Sequence, residues 1–109
     1  MGYYANGYGY FEVREDIENI AARFTDAMKD VETELKELVE LEEGSRPVII
    51  FRYYDSKYYE DEVLEILYAL TPLVEEGSMM EFRGEDDALW AFILEGEDWE
   101  EHEGYVAYR

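Results

Sequence analysis

Residues 47–54 read Pro-Val-Ile-Ile-Phe-Arg-Tyr-Tyr (PVIIFRYY), and this stretch decides the fold. Its β-branched and aromatic residues favour a strand. The run Val48-Ile49-Ile50-Phe51 is apolar at every position, which predicts a central strand buried on both faces at that end. Downstream, Asp55-Ser56-Lys57 reads as a turn, and a helix follows over about Glu60–Glu76. Val63, Leu64, Ile66, Leu67, Leu70, Leu73 and Val74 form its apolar side, and Glu60, Asp61 and Glu62 suit the positive end of its dipole. Pro72 ends or kinks it. Met79–Arg83 is a short strand, Gly84-Glu85-Asp86-Asp87 a hairpin loop and Ala88–Glu95 (ALWAFILE) the returning strand. Gly96 turns the chain again, and the last edge strand is placed at Gly104–Tyr108.

Upstream of Pro47, residues 8–14 (YGYFEVR) alternate as a first strand, with Phe11 and Val13 on one side and Tyr8, Tyr10 and Glu12 on the other. Gly2, Gly7 and Gly9 read as a flexible entry to it. From Glu15 to about Glu43 the apolar positions recur every three or four residues, which predicts one long helix closed by Gly44. Glu40, Glu42 and Glu43 then crowd its C-terminus, where acids are unfavourable. The order β-α-β-α-β-β-β predicts an α+β fold. It is a mostly antiparallel sheet of about five strands with two helices packed on one face, in a single domain over residues 1–109.

The chain has 109 residues, with 29 acidic against 9 basic side chains and a formal net charge of -20. A small soluble domain needs a net charge of only about 2–8 for solubility. Spread over roughly 6,300 Å² of folded surface, the excess gives about one charge per 300 Å², threefold more dilute than the surface of duplex DNA. Such a surface repels nucleic acid and anionic membranes and attracts basic proteins. No cysteine and one histidine exclude thiolate metal centres, disulfides and a cysteine nucleophile. No apolar run reaches a membrane span, and MGYYANGYGYF has no signal-peptide pattern. A cytoplasmic location is expected.

No catalytic constellation stands out. Asp86-Asp87, Glu97-Asp98 and Glu100-Glu101 are acid pairs in loop or edge segments, without the buried, facing arrangement that acid–base chemistry requires. His102 has no nucleophile or co-ligand in its pattern. Phosphate-loop, nucleophile-elbow and calcium-loop spacings are missing. Neither enzymatic activity nor a cofactor or metal is expected. Two acid clusters remain, one around Glu37, Glu40, Glu42 and Glu43 and one around Glu97, Asp98, Glu100 and Glu101. On the expected helix the first would set carboxylates about 5–6 Å apart, like phosphates along one strand. Of the 11 tyrosines, Tyr3, Tyr4, Tyr8 and Tyr10 are the better interface candidates, since tyrosine contributes area and a hydroxyl at low entropic cost.

Residues 57–95 resemble small uncharacterised proteins of bacteria, phages and prophages. The resemblance rests on Pro72, Val74, Glu75, Gly77, Ser78, Arg83, Gly84, Glu85, Asp86, Trp90 and Phe92, with the opening MGYY; Asp87 stands where the pattern has glycine. It implies origin on a mobile element and carries no catalytic residues. In overall character, though not in motif, the chain is similar to acidic phage DNA mimics and anti-CRISPR proteins.

The expected function is therefore anti-defence inhibition by a phage or prophage protein. The chain would bind the basic nucleic-acid groove of a host protein, a CRISPR effector nuclease being the expected target class. Both acid clusters would imitate phosphates, and Tyr3, Tyr4, Tyr8 and Tyr10 would anchor the contact. The alternative is a non-enzymatic acidic module that binds a basic partner or self-assembles, for example as a homodimer, through its tyrosine-rich sheet. Sequestration of a small ligand in an aromatic pocket is a third reading, disfavoured for nucleotides by the scattered basic residues. Direct nucleic-acid or membrane binding is expected under none of them.

Overall fold

In the computed structural model, which describes residues 3–104, strand β3 (Val48–Lys57) is the inner strand that its apolar run predicts. It pairs antiparallel with β1 (Tyr4–Glu12) on one side and β2 (Val39–Glu42) on the other. Val48, Ile49, Ile50 and Phe51 are all buried, so this end is covered on both faces. With β4 (Met79–Gly84), β5 (Leu89–Glu95) and β6 (Asp98–Glu103) the strands form one antiparallel sheet of six, in the order β2-β3-β1-β4-β5-β6. The fold is α+β.

Helix α2 (Glu60–Leu70) has three acids in its first turn and buries Val63, Ile66, Leu67 and Leu70. Each such side chain removed from water contributes about 1.5–3 kcal/mol. The helix ends at Thr71–Leu73, a single 3₁₀ turn, because Pro72 offers no N–H to continue the ladder. Trp99 locks α2 to β6: its indole N–H donates to Leu67 O at 3.0 Å and lies 2.9 Å from Thr71 Oγ1. Helix α1 (Ile20–Lys29) packs against α2 and buries no residue completely; Ile20, Phe24, Ala27 and Met28 lean on the core.

The expected long helix over 15–43 is thus broken. Only its middle is α-helical. Glu34–Leu38 is a 3₁₀ turn capped by Thr33, whose hydroxyl accepts the Leu35 N–H at 3.2 Å. Val39-Glu40-Leu41-Glu42 then alternates with period two and joins the edge of the sheet, which raises the strand count to six. Pairing along β3 and burial of Val39 outweigh the helical spacing of isolated apolar residues. The Asp55–Lys57 turn is instead the end of β3, since Ser56 and Lys57 pair with Ala5 and Tyr4. The last described strand is Asp98–Glu103; the expected Gly104–Tyr108 strand falls, beyond Gly104, outside the described residues.

Gly7 and Gly9 lie inside β1, not in a flexible entry. Their missing side chains make room for the aromatic core: a Cβ on Gly7 would stand 2.5 Å from Phe82, and one on Gly9 2.8 Å from the Met80 sulfur. Alternate β1 residues therefore face opposite ways. Ala5, Gly7, Gly9 and Phe11 point to the helix side, and Tyr4, Asn6, Tyr8, Tyr10 and Glu12 to the open side.

Candidate interaction surface

The open side of the sheet can be read row by row from the register. One row runs Arg52–Tyr8–Glu81–Ala91–His102 across five strands. Its neighbour joins Glu40, Ile50 and Tyr10 on one half and Met79, Ile93 and Glu100 on the other. The β1–β4 pairing ends at Gly9–Met80, one step before these halves, and Tyr10 and Met79 line a cavity there. A third row is Glu42–Val48–Glu12. The middle of this face sets the aromatic and apolar side chains of Tyr8, Tyr10, Met79 and Ile93 beside Glu12, Glu81 and Arg52, and its two edge strands carry further acids. Tyr8 and Tyr10 are 42% and 52% exposed, while Ile50 and Ala91 beneath are buried.

The sequence-predicted acids divide across this geometry. Glu40, Glu42, Asp98 and Glu100 lie on the open side, the first pair on edge strand β2 and the second on the opposite edge strand β6. Five strand spacings separate the edges, about 24 Å. Glu40 and Glu42, two apart on one strand, stand about 6.6 Å apart. Glu37 lies in the 3₁₀ turn before β2, Glu43 just past its end and Glu97 in the β5–β6 turn. The acids of residues 37–43 therefore share no helix face. Glu101 belongs to the other side, opposite Phe92. Partial desolvation there, with Glu60 and Glu103 close by, raises its pKa.

The tyrosines divide as well. Tyr4, Tyr8 and Tyr10 are exposed on the open side. Tyr3 is half-buried on the helix side, its ring 6.2 Å from that of Trp90 and its hydroxyl donating to Asp86. That bond lowers the Asp86 pKa and pushes the Tyr3 hydroxyl up to about 12. Tyr3 acts with the Tyr4 N–H, which donates to Glu85 at 2.8 Å, to fasten β1 to the β4–β5 hairpin. In that hairpin Asp87 has φ 67°, the left-handed conformation that the glycine of the resembling pattern would adopt freely. Tyr53 and Tyr58 complete the core, and burial raises both hydroxyls' pKa values.

Sequence reasoning missed the acids that have structural partners. The Thr33 hydroxyl donates to Glu62 at 2.6 Å, and Glu65 accepts the Glu32 N–H at 2.8 Å, so two α2 carboxylates hold the segment before β2. Thr33, an N-cap residue type ahead of Glu34 and Glu37, was a signal for the 3₁₀ turn, and no local pattern pointed to Glu62 or Glu65. It also missed a cavity of about 330 Å³ on the open side, bounded by Tyr8, Tyr10, Glu12, Glu75, Glu76 and Glu81. A larger one, about 650 Å³, lies by Arg14, Tyr68, Thr71 and Glu97.

Among the described residues no group of three or more His, Asp or Glu side chains is placed to hold a metal ion, and no helix is long and apolar enough to cross a membrane. His102 lies 3.4 Å from Glu95 on the β6 border. No family model, curated protein or solved structure matches the chain.

Proposed function

We propose that this chain acts by binding, as a phage- or prophage-encoded inhibitor that occupies the basic nucleic-acid groove of a host defence protein in the cytoplasm. A CRISPR effector nuclease is the target class. The observation that carries the reading is the pair of acidic borders flanking one open face, Glu42 with the Arg52-paired Glu40 on β2 and Asp98 with Glu100 on β6. Two lines of carboxylates on either side of a central strip offer a basic groove the charge pattern of a nucleic-acid backbone. The net charge of -20 adds long-range attraction and fast, salt-sensitive association. The mobile-element origin rests on the sequence resemblance over residues 57–95.

Self-assembly through the sheet edges is the weaker reading. Both edges carry carboxylates, a device that discourages strand addition, and two copies would bring -20 against -20.

The test is a purified effector nuclease with its guide and a labelled DNA target. Wild-type chain should displace the DNA at low salt, and displacement should fade towards roughly 0.5 M salt, where screening shortens to a few Å. Glu40→Lys/Glu42→Lys/Asp98→Lys/Glu100→Lys should abolish displacement while the protein stays folded. Inhibition that survives this reversal, or that ignores salt, overturns the mechanism.

A further inference from the structure

We infer that the open face of the sheet docks an arginine-bearing segment of the basic partner, with guanidinium groups stacked on Tyr8 and Tyr10 between the acidic borders. The inference rests on the proposed function and names its contact surface.

Charge complementarity selects a cationic occupant. The face carries Glu12, Glu40, Glu42, Glu81, Asp98 and Glu100. Its arginines are already engaged: Arg52 lies 3.3 Å from Glu40 and Arg83 3.0 Å from Asp87. A second copy of the chain or a nucleic acid would set like charge against like. A neutral protein would cover these carboxylates without compensating them.

The aromatic floor then selects arginine over lysine. A planar guanidinium stacks on a tyrosine ring and pairs with a carboxylate through two N–H groups at once; an ammonium is a compact, strongly hydrated point charge. The 330 Å³ cavity offers both partners side by side, two tyrosine rings and four carboxylates, and none of its described lining residues is basic. Its walls are held: Glu76 accepts the Gly96 N–H at 3.1 Å, and Glu12 lies 3.9 Å from the exposed Arg46. The volume suits a side chain and lies at the small end for a whole ligand.

The experiment titrates the isotope-labelled full chain with a ten-residue arginine peptide and, separately, a ten-residue lysine peptide, at about 50 mM salt. The arginine peptide should bind about tenfold more tightly. Its resonance shifts should centre on Tyr8, Tyr10, Met79 and Ile93. Tyr8→Thr/Tyr10→Thr keeps the charge and a strand-compatible side chain, and it should erase the preference for arginine. Equal affinity for the two peptides, or shifts centred on α1 and α2, would overturn the docking face while leaving the acidic-inhibitor reading intact. Failure of both peptides to bind would overturn both.

Discussion

Glu40 and Glu100 stand at the outer ends of two half-rows on the same face of the sheet, Glu40 on edge strand β2 and Glu100 on edge strand β6. Between them lie Ile50, Tyr10, Met79 and Ile93. An unpaired strand edge invites addition of another strand, and charge on it is the usual deterrent. The chain should therefore run as a monomer in analytical ultracentrifugation at low salt. Glu40→Thr/Glu42→Thr/Glu100→Thr should raise its self-association as concentration increases. A wild-type dimer that persists at low salt would contradict this account of the edges.

The reading of PVIIFRYY as a central strand matches β3, and the 60–76 segment matches α2 up to the stop at Pro72. Both signals are local: a continuous apolar run, and an amphipathic stripe with acids at its start. Residues 30–42 were misread because Leu35, Leu38 and Val39 satisfy a helical spacing while Val39-Glu40-Leu41-Glu42 also satisfies a strand spacing. The choice is made by β3, a non-local partner with a free edge. The candidate site was legible in part. The alternation of β1 put Tyr8, Tyr10 and Glu12 on one side, as found. That the two acid clusters fall on opposite edges depends on strand order, and no local pattern in the sequence encodes it.

Gly7 and Gly9 bear the close packing beneath that tyrosine face. Gly7→Ala would push a methyl group into the Phe82 ring, and Gly9→Ala into Phe11 and Met80. Overpacking of this kind costs about 1–3 kcal/mol. Chemical denaturation should show each variant destabilised in that range with an unchanged m-value. An alanine at Gly44, where nothing lies within 4 Å of the added carbon, serves as the control for crowding. Equal stability of Gly7→Ala and wild type would mean that the core is looser than described.

Thr33 joins three pieces of the fold through one hydroxyl, which accepts from the Leu35 N–H and donates to Glu62. It is buried, so the lost bonds would not be replaced freely by water. Thr33→Val keeps the shape and removes the hydroxyl. It should cost about 1–2 kcal/mol, read from denaturant midpoints, and amide exchange should quicken over residues 34–38 before the rest of the sheet. Uniform exchange with no loss of stability would remove Thr33 from this role.

Glu101 gives the fold a pH dependence whose sign can be worked out. Desolvation, followed by the nearby charges of Glu60 and Glu103, raises its pKa in the folded state. The folded chain thus holds that proton more tightly than the unfolded chain. Ionised Glu101 opposes folding at neutral pH, and the opposition fades as pH falls through its folded pKa towards its unfolded value. Asp86 acts in the opposite sense. Its pKa is lowered by the Tyr3 hydroxyl, so its contribution is present above the ordinary carboxylate range and is lost only at more acid pH. Thermal midpoints at constant ionic strength should therefore rise as pH falls from neutral towards the ordinary carboxylate range and fall again at more acid pH. Glu101→Gln should melt higher than wild type at pH 7 and gain less from acidification to pH 5. A midpoint that falls steadily from pH 7, or a Glu101→Gln profile parallel to that of wild type, would show that Glu101 is not the group responsible.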